Sequence, residues 1–316
     1  MKYTFLLPAY KGQFLKEMLQ SIQNQTYTDF KVLVSDDCSP DDLYTICQPF
    51  LKDQRFSYRR NEKNMGEEDL IAHWNLLVEL CDTPYLIMAS DDDIYEPSFL
   101  KEIDKLSQKY PDVDLIHARA FEIDHNGTIT KRDAIYEERV SQLVYISQHE
   151  YFNHIECEAN HVYRTEALKS KGGFVNFPLA WGSDTATHYL MAKNGAANTN
   201  DILFSFRMCG INISSITTRN RTIMKKKFQA SLLYRYYILN LLKTIDTHDI
   251  EEKLLFNTIW GAINKGTKNT ICYFSKALSF KEFIRFIWRM KKEKAFYNKY
   301  EIYTLIKKWF MYLRNK

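Results

Sequence analysis

The chain has few of the features that mark secreted or membrane-spanning proteins. Its six cysteines are scattered without a Cys-x-x-Cys spacing, which is typical of reduced thiols in a cytosolic protein and not of a disulfide framework or a metal knuckle. No apolar run is long enough to span a bilayer. The first apolar stretch is broken at Pro8 and has neither a basic region nor a cleavage site, so we expect no secretory signal. These absences predict a cytoplasmic protein that is soluble or peripheral to a membrane.

Histidine, glycine and proline are also sparse or unpatterned. The histidines from His117 to His188 include no pair at i, i+4 spacing, so a zinc hydrolase built on such a helix has little support. Ten glycines and seven prolines leave few obvious linkers in 316 residues, and no internal repeat is evident. With 45% apolar residues, the chain can bury one large core and still has length for a second, smaller unit.

The N-terminal part of the sequence alternates between strand and helix patterns. An apolar strand from Tyr3 to Tyr10 precedes an amphipathic helix at about 13–25, and a second strand covers 30–35. The next elements are a short strand at 56–60, a helix at about 69–80 and a strand at 85–89. This alternation predicts an α/β protein with a Rossmann-like, mostly parallel central sheet, flanked by helices and connected by right-handed crossovers.

Two acidic clusters follow two of these strands directly. Asp36 and Asp37 close the second strand, and the triplet Asp91-Asp92-Asp93 closes the strand at 85–89. Ligands bind beyond the carboxyl ends of strands in open α/β sheets, so we expect both clusters at one ligand-binding edge. Adjacent carboxylates repel unless a metal or a basic side chain neutralises them, and oxygen ligands suit Mg²⁺ or Mn²⁺ carrying a substrate diphosphate. A solvated acidic turn is the alternative interpretation.

Several short motifs occur in an order and spacing that resemble one enzyme family. They are Pro8-Ala9-Tyr10, Ser35-Asp36-Asp37-Cys38-Ser39-Pro40-Asp41, Asn64-Met65-Gly66, Trp74-Asn75, the triplet with Ile94-Tyr95-Glu96-Pro97, and the segment from His161 to Phe174 followed by Trp181-Gly182-Ser183-Asp184. Through them, residues 1 to about 215 resemble a family 2 glycosyltransferase of the GT-A fold. The resemblance implies an enzyme that moves a sugar from a nucleotide-sugar donor with inversion of the anomeric configuration.

The resemblance also implies roles for individual residues. The residues assigned to nucleotide or donor binding are Pro8, Ala9, Tyr10, Asp36, Asp37, Asn64, Asn75, Asp91 and Arg207. Asp92 falls on the position that should touch the metal, with Asp93 or Asp91 assisting. Asp184 falls on the position of the catalytic base.

Two of these assignments have alternatives. Asp36 or Asp37 would hydrogen-bond the nucleobase, and Asp37 is favoured because it lies further into the loop; the alternative is a turn-forming Asp whose side chain holds nearby backbone N–H groups. Arg207 would face the diphosphate, unless it is an exposed strand arginine.

Three positions depart from the family pattern. Ser90 stands at the first Asp of the metal-binding motif, Ser183 replaces the Glu of a Glu-Asp pair, and Cys38 stands where the family often has Gly. The two serines leave open a relative that binds sugar nucleotides but has lost turnover. The cysteine suggests a loop with a different backbone geometry.

The residue types are suited to the transfer of a sugar from a diphosphate. The barrier falls when the charge of the departing diphosphate is neutralised and the attacking hydroxyl is deprotonated. A metal on Asp92 and a neighbouring carboxylate would do the first as a Lewis acid and template. Asp184 would accept the proton of an acceptor attacking from the opposite face, although an Asp at the start of a helix predicted at 185–194 also suits an N-cap.

The composition changes after about residue 218. We predict a GT-A domain over residues 1–218 and a helical, basic and aromatic region over 219–316. Residues 281–316 contain eleven Lys and Arg against three Glu, a net charge of +8. The interleaved aromatic residues are Trp288, Phe296, Tyr297, Tyr300, Tyr303, Trp309, Phe310 and Tyr312. Such a stretch suits helices at an anionic lipid surface, but also aromatics packed on the catalytic domain; nucleic-acid binding is disfavoured because no recognised motif accompanies the charge.

Together these observations predict a metal-dependent inverting glycosyltransferase that uses Mn²⁺ or Mg²⁺ and a nucleotide-sugar donor, with a UDP-sugar favoured. Its acceptor would be a saccharide or a lipid-linked sugar in bacterial surface polysaccharide synthesis, at the inner face of the cell membrane. The alternative from another enzyme class is a nucleotidyltransferase. That class requires a Gly-rich basic loop after the first strand, of which Ala9-Tyr10-Lys11-Gly12 is a poor version.

Overall fold

A ten-stranded sheet organises the first of two compact units. The computed structural model of the protein describes residues 1–151, 154–208, 210, 220–292 and 299–314. The first unit comprises Met1–Asn176 and Ser183–Ser215, and the second comprises Phe177–Gly182 and Ile216–Lys316. The boundary predicted at residue 218 lies outside the described residues.

The two units differ in their secondary structure. The strands are β1 (Tyr3–Ala9), β2 (Phe30–Asp36), β3 (Phe56–Arg60), β4 (Tyr85–Met88), β5 (Ile94–Tyr95), β6 (Leu115–Ile123), β7 (Ile129–Arg132), β8 (Arg139–Val140), β9 (His161–Arg164) and β10 (Ala196–Arg207). The α-helices of the first unit are α1 (Leu15–Gln23), α2 (Leu43–Cys47), α3 (Met65–Leu80), α4 (Phe99–Lys109), α5 (Gln142–Tyr151), α6 (Thr165–Ser170) and α7 (Ser183–Met191). Those of the second unit are α8 (Arg221–Leu242), α9 (Ile250–Ser275), α10 (Phe280–Lys292) and α11 (Lys299–Arg314).

The sheet is parallel in one half and mixed in the other. Its strand order is β3-β2-β1-β4-β9-β6-β10-β5, with β7 on β6 and β8 on β10. Strands β1 to β4 pair in parallel, and so do β6 and β10. Strand β9 is antiparallel to both β4 and β6, and β5 is antiparallel to β10. The α/β class is confirmed, and the strands predicted from residue 3 to residue 89 pair in parallel as expected. The antiparallel strands β5 and β9 were not predicted, because strands of two and four residues show little periodicity in the sequence.

Aromatic packing and helix periodicity explain the core of the first unit. The Phe5 ring of β1 lies 5.8 Å from Phe30, 5.1 Å from Tyr95 and 6.3 Å from Phe99 between ring centroids, and all four side chains are buried. Helix α1 buries its apolar residues at the helical spacing that the sequence predicts.

Helix α3 begins earlier than the predicted start at about residue 69, but it is interrupted at Asp69. The helix begins at Met65, but Asp69 within it has φ −156° and ψ 95°. The Asp69 carboxylate accepts a hydrogen bond from the Ala72 N–H (3.0 Å), as an N-cap residue does. The long part of the helix therefore begins where the sequence predicts, after one separate turn.

The cysteines in the described part of the chain are free thiols, and Cys38 has an unusual backbone conformation. Cys38, Cys47, Cys81, Cys157 and Cys272 are free thiols. Cys38 has φ 57°, in the left-handed region that glycine favours. The loop after β2 thus keeps the glycine-like backbone, and the expected change in its geometry is wrong.

The helical second unit has its own apolar core. Its buried members include Phe274, Phe283, Phe286 and Trp309. The Phe283 and Trp309 rings stack in nearly parallel planes with centroids 4.2 Å apart, and the Trp309 indole N–H donates to the Ser275 carbonyl (3.2 Å). Across the described residues, no helix has the length and apolar character needed to cross a membrane. Two of the predicted tail aromatics, at 296 and 297, lie outside the described residues.

Candidate active site

The ends of β1 and β2 lie side by side at the carboxyl edge of the parallel strands. Pro8 pairs with Ser35, and Ala9 pairs with Asp36, the last residue of β2. The Asp37 N–H donates to the Ala9 carbonyl (2.8 Å). Backbone pairing therefore brings together the residues of these two strands that the sequence assigns to the nucleotide.

The acidic triplet joins the same edge through its first member. Asp91 Oδ2 accepts hydrogen bonds from the N–H groups of Tyr10 (2.9 Å) and Lys11 (2.7 Å). The Tyr10 carbonyl accepts from Ser39 Oγ (2.6 Å), which ties the loop after β2 to the same point. The prediction that both acidic clusters share one sheet edge is confirmed. Tyr10 itself is 41% exposed, so its ring is accessible to a ligand at this edge.

Lys11 supplies a positive charge between two members of the triplet. Its Nζ lies 3.1 Å from Asp91 Oδ1 and 2.8 Å from Asp92 Oδ2. Burial lowers the pKa of Lys11, but the charges of Asp91 and Asp92 outweigh burial and raise the pKa above its ordinary value. Burial raises the pKa of Asp91, and Lys11 partly offsets that rise. Sequence reasoning missed this residue; the available signal was a lysine directly after β1, facing a second acidic strand end.

The serine that replaces the family's first Asp orients its neighbour. Ser90 Oγ donates to Asp92 Oδ1 (2.8 Å), while Asp92 Oδ2 faces Lys11. Asp92 is only 2% exposed. A hydroxyl at position 90 thus holds the Asp92 carboxylate without adding a further negative charge to a buried cluster.

Asp93, the last member of the triplet, is hydrogen-bonded to the backbone of Arg207. Asp93 Oδ1 accepts from the Arg207 N–H (2.8 Å), and Asp93 Oδ2 is buried with no hydrogen-bond partner among the described residues. Burial, followed by the charge of Asp92, raises the pKa of Asp93 well above its ordinary value. These conditions favour a neutral carboxyl group.

The Arg207 guanidinium is buried, so its interpretation as an exposed strand arginine is wrong. It is 2% exposed and lies 4.2 Å above the Phe14 ring. Its Nε donates to the Asp92 carbonyl (2.9 Å), and Nη2 pairs with Glu17 (2.8 Å). The observed contacts position the backbone of the triplet, and a contact with the diphosphate stays a prediction.

Asp36 is fully buried, and its carboxylate accepts hydrogen bonds from groups in its own loop and in β3. Its Oδ1 accepts from the Ser39 N–H (2.8 Å). Its Oδ2 accepts from the Tyr58 hydroxyl (2.5 Å) and pairs with Arg60. Asp36 therefore acts as the turn-forming aspartate that the sequence left as an alternative.

Asp37 is bound to the N-terminus of α3. Its carboxylate accepts from the backbone N–H groups of Met65 (2.9 Å) and Gly66 (2.7 Å) and from Asn61 Nδ2 (2.8 Å). These are the amides that a helix N-terminus leaves without intrahelical partners, and an anion is favourable there. Its predicted contact with the nucleobase would have to coexist with these three bonds.

The two asparagines have structural partners. Asn64 is the N-cap of α3, and its Oδ1 accepts from the Glu67 N–H (2.9 Å). Asn75 clamps the backbone of Phe174, accepting from its N–H (2.7 Å) and donating to its carbonyl (3.1 Å). In these contacts Asn75 supports the acceptor-side segment and does not join the residues at the carboxyl edge.

Asp184 lies in the first turn of α7 and is partly buried. Its Oδ1 accepts from the Thr185 N–H (2.9 Å). Helix α7 begins at Ser183, one residue before Asp184, so Asp184 is not the N-cap that the predicted start at 185 implied. Burial raises the pKa of Asp184, the charge of Glu156 adds to the rise, and His188 opposes it. A carboxylate of raised pKa is a stronger base.

Two glutamates that sequence reasoning missed lie in the region of Asp184. Burial raises the pKa of Glu158 to about 8, and the charges of Asp184 and Asp92 contribute to this shift. Although burial alone would raise the pKa of Glu156, His149 and His188 hold it well below its ordinary value. The local sequence around 156–158 carries no motif, so only the fold reveals these glutamates.

The oxygen ligands at the carboxyl edge fit a hard divalent cation. Asp91 Oδ1 and Asp92 Oδ2 both face one positive charge, the Nζ of Lys11. Asp93 bonds the Arg207 backbone instead. Carboxylate oxygens are the ligands that Mg²⁺ and Mn²⁺ prefer. These contacts favour Asp91 over Asp93 for the assisting role that the sequence left open between them, and the metal ligands stay a prediction.

Comparison with known proteins agrees with this architecture. Residues 4–171 match the family described as Glycosyl transferase family 2. An uncharacterized glycosyltransferase of Methanocaldococcus jannaschii is 32% identical over 121 residues, which cover 38% of this chain and 41% of that relative. The chain thus spans well under half the length of this curated relative.

Two solved structures share the fold at low sequence identity. Residues 1–349 of S. aureus TarS, in complex with UDP-GlcNAc, align with a TM-score of 0.65 and 15% identity, over 100% of this chain and 93% of TarS 1–349. A mannosyltransferase from Pyrobaculum calidifontis, in complex with GDP-Man and Mn²⁺, aligns with a TM-score of 0.54 and 14% identity, over 98% and 85% of the two chains. Because the family match covers more than half of the residues, the chain belongs to glycosyl transferase family 2 and has the GT-A fold.

Proposed function

We propose that the protein is a metal-dependent, inverting glycosyltransferase that transfers a sugar from a nucleotide-sugar donor to a hydroxyl group. The observation that carries this proposal is the convergence of Asp91 and Asp92 on one cation position at the carboxyl edge, beside the exposed ring of Tyr10. That edge is where ligands bind in open α/β sheets. Family membership supports the reaction class, and the geometry supports the site.

In this proposal Asp92 and Asp91 hold Mn²⁺ or Mg²⁺. The metal would act as a Lewis acid that neutralises the charge developing on the departing diphosphate. Lys11 balances the two carboxylates when no metal is bound, and Arg207 keeps the triplet backbone in place through the Asp92 carbonyl. Asp93 has a structural role in this proposal, since it bonds the Arg207 backbone and burial raises its pKa well above the ordinary value.

Asp184 is the proposed base. The acceptor oxygen attacks the anomeric carbon while the bond from that carbon to the diphosphate oxygen breaks and its electron pair leaves with the diphosphate. The acceptor proton passes to the Asp184 carboxylate. Attack from the face opposite the leaving group inverts the anomeric configuration. Glu158 is less suited to this role near neutral pH, because its pKa of about 8 keeps it mostly protonated.

The proposed donor is a UDP-sugar. The TarS structure contains UDP-GlcNAc, whereas the mannosyltransferase structure contains GDP-Man, so the nucleotide is the first point to test. Calorimetric titration with UDP, GDP, CDP and ADP, each with and without Mn²⁺, makes that test. Metal-dependent binding of one nucleotide supports the proposal. Binding without turnover of the matching nucleotide sugars would favour the alternative of an inactive relative, to which Ser90 and Ser183 point.

We further propose a saccharide or lipid-linked acceptor at the inner face of the bacterial cell membrane. In the second unit Trp288, Tyr303 and Phe310 are exposed, and residues 281–316 carry a net charge of +8. Exposed aromatics with basic neighbours suit an anionic lipid surface.

Point variants test this docking better than truncation does, since residues 281–316 include the buried Phe283 and Trp309. Replacing Trp288 and Phe310 together by Ser should weaken binding to phosphatidylglycerol vesicles by about tenfold. The matched control is Leu254→Ser, which changes an exposed apolar residue of α9. Equal vesicle binding by both variants and the parent would refute membrane docking through these aromatics.

A further inference from the structure

The Glu158 carboxyl group differs from its acidic neighbours because no side chain binds it. Asp92 accepts a hydrogen bond from Ser90 and pairs with Lys11, and Glu156 pairs with two histidines. Among the residues that the structure describes, no side chain donates a hydrogen bond to the Glu158 carboxyl group. The side chain is desolvated by its surroundings, yet it is only half-buried. It therefore has hydrogen-bonding capacity left for a ligand.

Hydrogen bonds hold the backbone of Glu158 next to the acidic triplet. It lies in a short 3-10 turn, Glu158–Asn160, that packs against β4, the strand that the triplet follows. The Tyr95 hydroxyl donates to the Ala159 carbonyl (2.9 Å), and Tyr95 is two residues beyond the triplet. The carboxyl edge thus lies on one side of Glu158, and the charge of Asp92 acts on its carboxyl group.

A second contact connects the same turn to the helix of the proposed base. The Tyr163 hydroxyl lies within hydrogen-bonding distance of the Glu158 carbonyl (3.3 Å) and of His188 Nε2 (2.7 Å). His188 follows Asp184 by one turn of α7, so these two side chains lie on the same face of that helix. Among the neighbouring charges, that of Asp184 acts most strongly on the Glu158 carboxyl group. Glu158 therefore lies between the proposed metal ligands and the proposed base.

The transferred sugar occupies the same interval in the proposed reaction. In an inverting displacement, the nucleophile approaches the face of the sugar ring opposite the leaving group. The base and the metal-bound diphosphate consequently lie on opposite sides of the sugar. A side chain between the metal ligands and the base faces the sugar ring, and not the nucleotide.

We propose that Glu158 is a donor-specificity residue whose carboxyl group hydrogen-bonds a hydroxyl group of the transferred sugar. This role rests on the proposed function, to which it adds a contact for the sugar ring. The pKa of Glu158, raised to about 8 by burial, keeps the group mostly protonated near neutral pH. A protonated carboxyl group can both donate and accept a hydrogen bond, and so can a sugar hydroxyl. A site built to bond a hydroxyl group rejects an analogue that lacks it.

Calorimetry with UDP and with UDP-sugars, in the presence of Mn²⁺, separates a sugar contact from a nucleotide contact. The measured quantity is the affinity for UDP-glucose or UDP-GlcNAc divided by the affinity for UDP. Glu158→Leu should lower this ratio about tenfold or more while UDP binds as in the parent, because leucine makes no hydrogen bond. Glu158→Gln, which keeps a donor and an acceptor, should retain most of the ratio. Glu166→Leu, at an exposed position of α6, is the matched control and should bind as the parent does.

The affinity for UDP also checks that each variant is folded, and Glu158→Ala replaces Glu158→Leu if leucine is not accommodated. If the nucleotide titration selects guanine, GDP and GDP-mannose take the place of UDP and the UDP-sugars. An unchanged ratio in the folded variant overturns the proposal. A loss of turnover in Glu158→Gln as large as that in Asp184→Asn, with sugar-nucleotide affinity intact, also overturns it and places Glu158 in proton transfer. A parent chain that binds no nucleotide contradicts the proposed function, and the role of Glu158 with it.

Discussion

Two groups of buried carboxylates in the first unit are neutralised in different ways. At the carboxyl edge, Asp91 and Asp92 share the ammonium group of Lys11. Near α7, Glu156 is held ionised by His149 and His188, with its pKa well below the ordinary value, whereas burial raises the pKa of Glu158 to about 8. In the proposed function, the first group supplies the metal ligands and the second lies near the proposed base. Environment, and not residue type, separates the two roles.

The substitution Asp184→Asn has the largest expected effect. It tests whether Asp184 accepts the proton of the acceptor. Removing the base should lower the single-turnover rate of transfer by about 10²–10⁴-fold while the affinity for UDP stays unchanged. Glu158→Gln is the companion variant and should lose far less, because that carboxyl is already mostly protonated near neutral pH. Normal turnover of Asp184→Asn would reduce Asp184 to a structural residue in the first turn of α7.

At the carboxyl edge, we expect Asp91 and Asp92 to act as metal ligands and Asp93 to act as a structural residue. Asp92→Asn and Asp91→Asn should each weaken Mn²⁺-dependent binding of UDP by about 10–100-fold, because each removes a charged ligand. Asp93→Asn should change this binding much less, because Asp93 bonds the Arg207 backbone and does not contact Lys11 as Asp91 and Asp92 do. Calorimetry with and without Mn²⁺ measures all three. A loss in Asp93→Asn as large as in Asp91→Asn would restore Asp93 as the assisting ligand.

Lys11→Met tests whether the ammonium group and the metal compete for the same carboxylates. Without nucleotide, the variant should bind Mn²⁺ about tenfold more tightly, because no internal cation has to be displaced. Lys16→Met, an exposed lysine of α1, is the control and should bind as the parent does. Weaker Mn²⁺ binding in Lys11→Met would mean that the lysine supports the site instead of competing for it.

The smallest expected effect is the contribution of the Glu158 proton to stability, measured as the change of the melting temperature with pH. Its folded pKa of about 8 exceeds the ordinary value of 4.5, so the folded state binds the proton more tightly than the unfolded state does. The stabilisation from that proton is complete below 4.5 and is lost as the pH rises toward 8. Relative to Glu158→Gln, the melting temperature of the parent should fall by a few degrees across this window, since charge then develops near Asp184 and Asp92, with Lys11 only partly compensating. Parallel melting curves for the two proteins would contradict the assigned pKa.

Local sequence patterns predicted part of the fold and part of the candidate site. The period of β1, α1 and β2 and the strand-closing aspartates were sufficient to predict the βα units and a shared acidic edge. These features depend on residues within one or two turns or along one strand, where side-chain periodicity follows directly from backbone geometry. The motif order from Pro8 to Asp184 identified the family for the same reason.

Other features depended on residues brought together from far along the chain. The sequence left Asp93 and Asp91 as alternatives beside Asp92 and assigned Asn75 to the donor. It did not predict that Asp93 bonds the Arg207 backbone or that Asn75 clamps Phe174. Such pairings depend on which strands become neighbours, and no local period encodes that choice.

The sequence by itself determined the family, the strand-helix alternation and the set of acidic residues available for catalysis. The tertiary structure alone decided that Lys11 lies between two carboxylates, that Glu158 keeps its proton to about pH 8, and that His117 faces His154 and His161. Charge balance and pKa depend on burial and on neighbours a few ångströms away, and both exist only once the sheet has assembled.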